Sequence, residues 1–166
     1  LFGEKGYEKI TITDIAKSIG VSQGLCYRYF PSKEVLFDSA IEQYADILVS
    51  QFAEMAENTH MPLKQFIEEM PLNVEDQNTK YYAVFHGPQN KKFHNQLSLK
   101  TCEKLVPVIE KMLQKARENG ELQLEDLKTA AMFCIYGQLG ILLDDGMEQK
   151  EKANRIRKFL IYALHL

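Results

Sequence analysis

Much that would point to a specific chemistry is missing from this sequence. Only three cysteines occur among 166 residues, Cys26, Cys102 and Cys134, widely spaced and never as a C-x-x-C pair. That excludes a disulfide framework and a cysteine-based zinc site, and it fits reduced thiols in a cytosolic protein. No apolar run approaches the ~20 residues that span a bilayer, and no signal-peptide pattern opens the chain, so no membrane partner is expected. A catalytic serine triad, an H-x-x-x-H pair and a phosphate-binding glycine loop are all absent, and paired acids do not recur at helical spacing, so an enzyme is not expected. No cofactor or metal motif stands out; His86 and His94 would ligate a metal only if distant partners converged on them. Positive charge is not in excess either. The chain holds 20 Lys and Arg against 23 Asp and Glu, a net charge of −3, which argues against bulk polyanion binding and leaves room only for a local patch. Residues 1–40 balance Lys5, Lys9, Lys17, Arg28 and Lys33 against Glu4, Glu8, Asp14, Glu34 and Asp38. An initiating Met is lacking, and the abrupt "LFGEKGYEK" start reads as that of a fragment, or of a numbering that omits a disordered or removed start.

Strand-like alternation, internal repeats and low-complexity tracts are scarce or absent, and what is present reads as helix. The length suits one compact domain or a small domain fused to a larger one. After "PS", Leu36, Phe37, Ala40, Ile41, Tyr44, Ile47, Leu48, Phe52 and Met55 fall at steps of three and four. With neither Gly nor Pro between Pro31 and Pro62, this predicts a helix of roughly 24 residues, about 36 Å long. Ser32 suits its N-cap and Glu34 its positive end. Shorter helices are expected at Leu63 to Met70 and Glu75 to Phe85, ended by "HGPQN". A long periodic stretch then runs from Lys92 to Glu118, with a kink or break expected near Leu105 because Pro107 sits inside it. Gly120 stops it. Two last helices are expected at 125–143 and 148–164. Gly137 and Gly140 lie within the first of these, where each costs ~1 kcal/mol against Ala. Close approach of another helix is the best reason for them, by internal packing or at a subunit interface.

The first forty residues carry more. Thr11 and Asp14 have the spacing of an N-terminal cap for a helix from Ile12 to Ile19. Gly20 stops that helix, and Ser22 can cap a new one directly. Two short helices joined so tightly must cross steeply, which needs a small residue at the crossing (Ala16), positive φ at the turn (Gly20) and apolar residues inside the angle (Ile15, Ile19, Val21, Cys26). This is the sequence form of a helix-turn-helix, whose second helix lies in the DNA major groove. Ser22 at a helix N-terminus can hold a phosphate as well as cap. Gln23 has an amide able to pair with adenine, and Gly24 lets the helix come close. Leu25 suits a thymine methyl, and Arg28 a guanine edge or a phosphate. Tyr27 and Tyr29 offer phenolic donors to phosphates. They lie about 200° apart on a helix, so at least one is expected to be accessible, and Tyr29 stays open between contact and support. Thr11 and Thr13 can bond phosphates from the preceding helix.

Residues 1–37, "LFGEKGYEKITITDIAKSIGVSQGLCYRYFPSKEVLF", resemble the DNA-binding domain of the TetR/AcrR family of bacterial transcriptional regulators. "FGEKGYE" is similar to the end of the family's first helix, "TITDIAKSIGVS" to its second helix and turn, and "QGLCYRYFPSKEVLF" to the recognition helix running into the fourth. The chain departs from the family in lacking most of the first helix and in having Cys26 where a larger aliphatic residue is usual. The resemblance implies an all-α fold, with a helix-turn-helix domain at 1–37 and a larger helical-bundle domain for ligand binding and dimerisation at 38–166. It implies Lys33 as a backbone-anchoring lysine, operator DNA as partner, and a homodimer through the last two helices. A small, largely apolar effector that releases the operator is implied too, making the chain a cytoplasmic ligand-responsive repressor. Candidate walls of the effector site are Phe52, Phe66, Tyr81, Tyr82, Phe85, His86, Phe93, Met112, Phe133 and Tyr136. The competing readings are an all-helical enzyme and an all-helical protein-interaction module that leaves DNA alone.

Overall fold

The computed structural model of the chain describes residues 7–72, 91–144 and 146–166, and every regular element among them is an α-helix. We label these helices α1 (Ile12–Ser18), α2 (Gln23–Tyr29), α3 (Lys33–Asn58), α4 (Leu63–Glu69), α5 (Lys91–Glu118), α6 (Leu127–Leu142) and α7 (Gln149–Ala163). The helix expected at Glu75 to Phe85 and the break at "HGPQN" lie outside the described residues. Two compact units divide the chain. The first takes in the described residues up to Ile47 and from 91 to Lys100; the second takes in Leu48 to 72 and everything described from Thr101 onward.

In the first unit, α1 begins on a capping box. Thr11 Oγ1 accepts from the Asp14 backbone N–H at 3.2 Å, and the Asp14 carboxylate accepts from the Thr11 backbone N–H at 3.0 Å. Two orphan amides are thus satisfied, an arrangement worth about 1 kcal/mol. The helix ends on Gly20, at φ +72, with the Val21 N–H on the Ala16 carbonyl and the Gly20 N–H on that of Lys17. This paired closure needs a left-handed residue, which glycine adopts without a Cβ clash. Ser22 then opens α2 by accepting from the Leu25 N–H at 3.2 Å. Ile12, Ala16 and Cys26 are buried where the two helices meet, with Val21 packed against them. Ile19, expected in that angle, is instead 64% exposed. The helical path ends at Ser18, so the Ile19 side chain leaves the core face and Ile12, one turn before Ala16, takes the place.

Ser32 caps α3 through the Val35 N–H, and the buried stripe of α3 within this unit is Phe37, Ile41, Tyr44 and Ala45. Ala40 and Ile47, expected on that stripe, are exposed. Along the start of α5, Gln96 donates to Asp38 at 2.7 Å and Lys100 pairs with Glu42 at 3.5 Å.

The core of the second unit joins Leu63 and Ile67 of α4, Leu113 and Ala116 of α5, Leu127 and Ala131 of α6, and Ile156 and Leu160 of α7. A neighbouring cluster holds Phe52, Ala56, Phe66, Cys102, Leu105 and Ile135. Charged side chains tie helix ends to one another here. Glu121 accepts from the Leu63 N–H at the start of α4, and Arg157 donates to the Met70 carbonyl at its end, 2.7 Å away. Lys152 is buried and donates to the Leu142 carbonyl at 2.8 Å, closing α6. Cations suit these negative helix ends. No break occurs near Leu105: α5 is continuous through Pro107, whose ring lies on the exposed side. Water there can take the Glu103 carbonyl that proline leaves without its helical donor, which is why the helix survives.

Candidate nucleic-acid interface

The outward side of α2 is built from short-range geometry alone. Burying Cys26 against Ala16 turns Gln23, Gly24, Tyr27 and Arg28 outward, and all four are exposed. Leu25 is exposed as well, an uncommon place for a leucine in a helix this short and the right one for a methyl contact. Tyr27 and Tyr29 are both exposed, Tyr29 at 68%, so neither fills the core. A Cβ added at Gly24 would meet nothing within 4 Å, so the open space along that face belongs to whatever approaches it.

Ser22 sits at the positive end of α2. Its oxygen accepts from Leu25, which leaves its O–H to donate away from the helix. Thr11 is differently placed. Its hydroxyl donates to Asp14 at 2.6 Å, so its single proton is already committed inside the capping box. Thr13 is half-buried in the first turn of α1.

Lys33 is half-buried at the first position of α3, and its surroundings were not legible in the sequence. Its Nζ donates to the Tyr7 carbonyl at 3.0 Å and lies 4.2 Å from the centroid of the Tyr7 ring. The Tyr7 hydroxyl donates to Glu34 at 3.2 Å. Burial first, and Glu34 second, push the Tyr7 phenol up. The Glu34 carboxyl is held low by its own backbone N–H, by Ser32 and by Tyr7. Only a pairing far along the chain brings Tyr7 to this corner, so no local pattern could have marked it.

The residues expected to wall an effector site fall in several places. Phe52 and Phe66 are buried with ring centroids 6.1 Å apart, and Met112 packs on the same cluster. Phe93 is in the first unit, its ring 4.3 Å from Phe37 and 4.8 Å from Tyr7. Phe133 and Tyr136 are exposed on α6, Phe133 at 76%. Tyr81, Tyr82, Phe85 and His86 lie outside the described residues. Cys102 and Cys134 have thiols raised by burial, Cys102 to about 11, which disfavours the reactive thiolate. Among the described residues no helix is long and apolar enough to cross a membrane.

Comparison with known proteins agrees with this geometry. Residues 1–40 match the family described as bacterial regulatory proteins, tetR family. Among curated proteins, the nucleoid occlusion factor SlmA of Glaesserella parasuis is 36% identical over 70 residues, covering 41% of this chain and 35% of that protein. The SlmA of Haemophilus influenzae is 40% identical over 58 residues, 35% of this chain and 27% of its own length. The matched part thus spans about a third of these relatives. Among solved structures, Salmonella enterica GusR superposes with a TM-score of 0.60 at 21% identity, covering 99% of this chain and 90% of that one. RolR gives 0.63 at 17%, covering 96% and 84%. The fatty acid degradation regulator FadR of Bacillus halodurans gives 0.59 at 19%, covering 98% and 90%. At these identities the likeness is one of fold, and it extends over nearly the whole chain.

Proposed function

We propose, from the match of residues 1–40 to the tetR family of bacterial regulatory proteins, that these residues are a DNA-binding domain and that the chain is a ligand-responsive transcriptional repressor acting as a cytoplasmic homodimer. The observation that carries the reading is the α2 surface: a capped helix with exposed Ser22, Gln23, Gly24, Leu25, Tyr27 and Arg28, held by a small buried hinge of Ile12, Ala16 and Cys26. Ser22, Tyr27, Tyr29, Lys33 and Thr13 supply phosphate donors that fix register, and Gln23 and Arg28 read base edges. Thr11 contributes by shaping the start of α1.

A second copy of the chain is the partner that the last two helices suit. Met132, Phe133 and Tyr136 of α6 and Phe159 and Tyr162 of α7 are all exposed, and the two helices pack together. Among the described residues, a Cβ at Gly137 or Gly140 would meet nothing within 4 Å, which supports a second copy as the source of the close approach that these glycines allow. The effector is a small, largely apolar molecule taken up by residues 38–166 beside Phe52, Phe66 and Met112. It acts by changing the separation of the two recognition helices, since half-sites lie about one DNA turn or a multiple apart.

The direct test is titration of the purified protein with the DNA upstream of its own coding sequence. Binding at about 150 mM salt that weakens steeply as salt rises is expected; no sequence-selective binding at that salt overturns the reading. A second use has support in the curated relatives named nucleoid occlusion factors. Sites mapped along the chromosome separate the two, clustering at promoters for a repressor and lying away from them for a nucleoid occlusion factor.

A further inference from the structure

Two aromatic residues, Tyr7 and Phe93, the second expected from the sequence to wall an effector site, stand behind the lysine that the DNA-binding reading places on a phosphate. Lysine is a flexible point charge, and an unsupported one spends much of its time away from any single phosphate. Lys33 is not unsupported. The Tyr7 carbonyl takes one of its three N–H groups at 3.0 Å, and the Tyr7 ring lies 4.2 Å from the ammonium. Two N–H donors remain for an anion. Tyr7 is itself held on both sides. Its hydroxyl is tied to Glu34 at 3.2 Å, and its ring meets Phe37 at 5.0 Å and Phe93 at 4.8 Å. Phe93 closes the set against Phe37 at 4.3 Å. Two separate stretches of chain, the first turns of α3 and the first turns of α5, therefore converge on the Tyr7 side chain of the segment before α1.

We propose that Tyr7 and Phe93 are positioning residues for DNA binding, with Phe93 setting the Tyr7 ring and Tyr7 holding the Lys33 ammonium where it meets a backbone phosphate. The proposal rests on the DNA-binding reading of α2 and adds two residues that touch no DNA. It also makes the start of α5 a place from which the phosphate anchor is adjusted, because a shift of Phe93 removes the support of the Tyr7 ring.

The test is a double-mutant cycle between Phe93 and Lys33, using a duplex that the wild-type protein enriches from a random-sequence library. Lys33→Met is expected to weaken binding and to lower the salt slope by about 0.9 for each protomer bound, the share of one phosphate contact per protomer. Phe93→Ala is expected to weaken binding about threefold or more in the wild-type background, the scale of one lost cation–π support, and to have little effect in the Lys33→Met background. Phe93→Leu, which keeps most of the volume, reads the same coupling if the alanine variant melts early. Tyr7→Phe keeps the ring and the carbonyl and is expected to restore most of the affinity that Tyr7→Leu loses. Equal losses from Phe93 substitution in both Lys33 backgrounds mean a general structural role and overturn the proposal, as does a Tyr7→Leu variant that binds like wild type. Failure of the wild-type protein to enrich any duplex defeats the DNA-binding reading itself, a separate outcome.

Discussion

Ser22 and Gln23 are neighbours with different physics, and substitution separates them. The Ser22 oxygen satisfies the Leu25 amide, so Ser22→Ala is expected to lower stability by about 1 kcal/mol in denaturant titration, besides removing the proposed phosphate donor. Gln23 is exposed in the first turn of α2. Gln23→Ala should leave stability within about 0.5 kcal/mol while costing about 1–3 kcal/mol of discrimination at one base position. The two measurements together distinguish the cap from the reader. Thr11 shows how a donor in the sequence can be spent in the structure. Threonine at a helix start suits a phosphate and a capping box equally well, and only the 2.6 Å bond to Asp14 shows where its proton goes.

Helix ends were legible because their signals are local. Thr11 with Asp14, Gly20, Ser22, Ser32 and Gly120 all act within a few residues of themselves, and each does in the structure what its spacing implied. Ile19 misled for the opposite reason, as did Pro107 in so far as a break was expected there. Whether an apolar residue at a helix end stays on the core face, and whether a proline faces solvent, depends on packing from distant segments. The tethers made by Glu121, Lys152 and Arg157 are illegible for the same reason. Pro107 leaves α5 with a missing bond at an exposed site, so Pro107→Ala is expected to raise stability by about 1–3 kcal/mol, read from the melting midpoint. The start of α6 gives a pH signature. Asp126 accepts from the Thr129 hydroxyl and N–H, and these bonds hold its carboxyl below the ordinary 3.8. A carboxyl lowered by folding stabilises at pH values above its unfolded value, and the stabilisation is lost as pH falls through the folded one. Asp126→Asn keeps the acceptor and removes the titration. Its melting temperature should therefore fall less steeply than that of wild type below about pH 4.

At the scale of the whole molecule, the regular elements among the described residues are all helices, the resemblance to TetR regulators rests on the first forty residues, and the fold likeness runs through the rest. The exposed face of α2, which we propose reads DNA, was almost wholly legible as an exposed face, since α2 is short and its neighbours in space are its neighbours in sequence. The positions of the aromatics proposed as effector walls were less so, because aromatic residues at helical spacing look alike whether they line a cavity, as proposed for Phe52, pack on other rings, as Phe93 does on Tyr7 and Phe37, or stand at the surface, as Phe133 does. The exposed aromatics of α6 and α7 are the surface proposed to set the assembly. Phe133→Glu and Tyr162→Glu, at side chains 76% and 77% exposed in the single chain, are expected to leave folding intact and to yield a monomer in sedimentation equilibrium. A monomer would hold one half-site and lose affinity for a paired site by orders of magnitude. The central claim, that α2 reads DNA from a paired chain, is tested most directly by selecting duplexes from a random library with wild-type protein and with Gln23→Ala side by side. Wild type is expected to enrich two half-sites related by a dyad, their centres about one helical turn or a multiple apart, with Gln23→Ala losing preference at one symmetric position in each. No enriched sequence, or the same sequence enriched equally by both proteins, would contradict it.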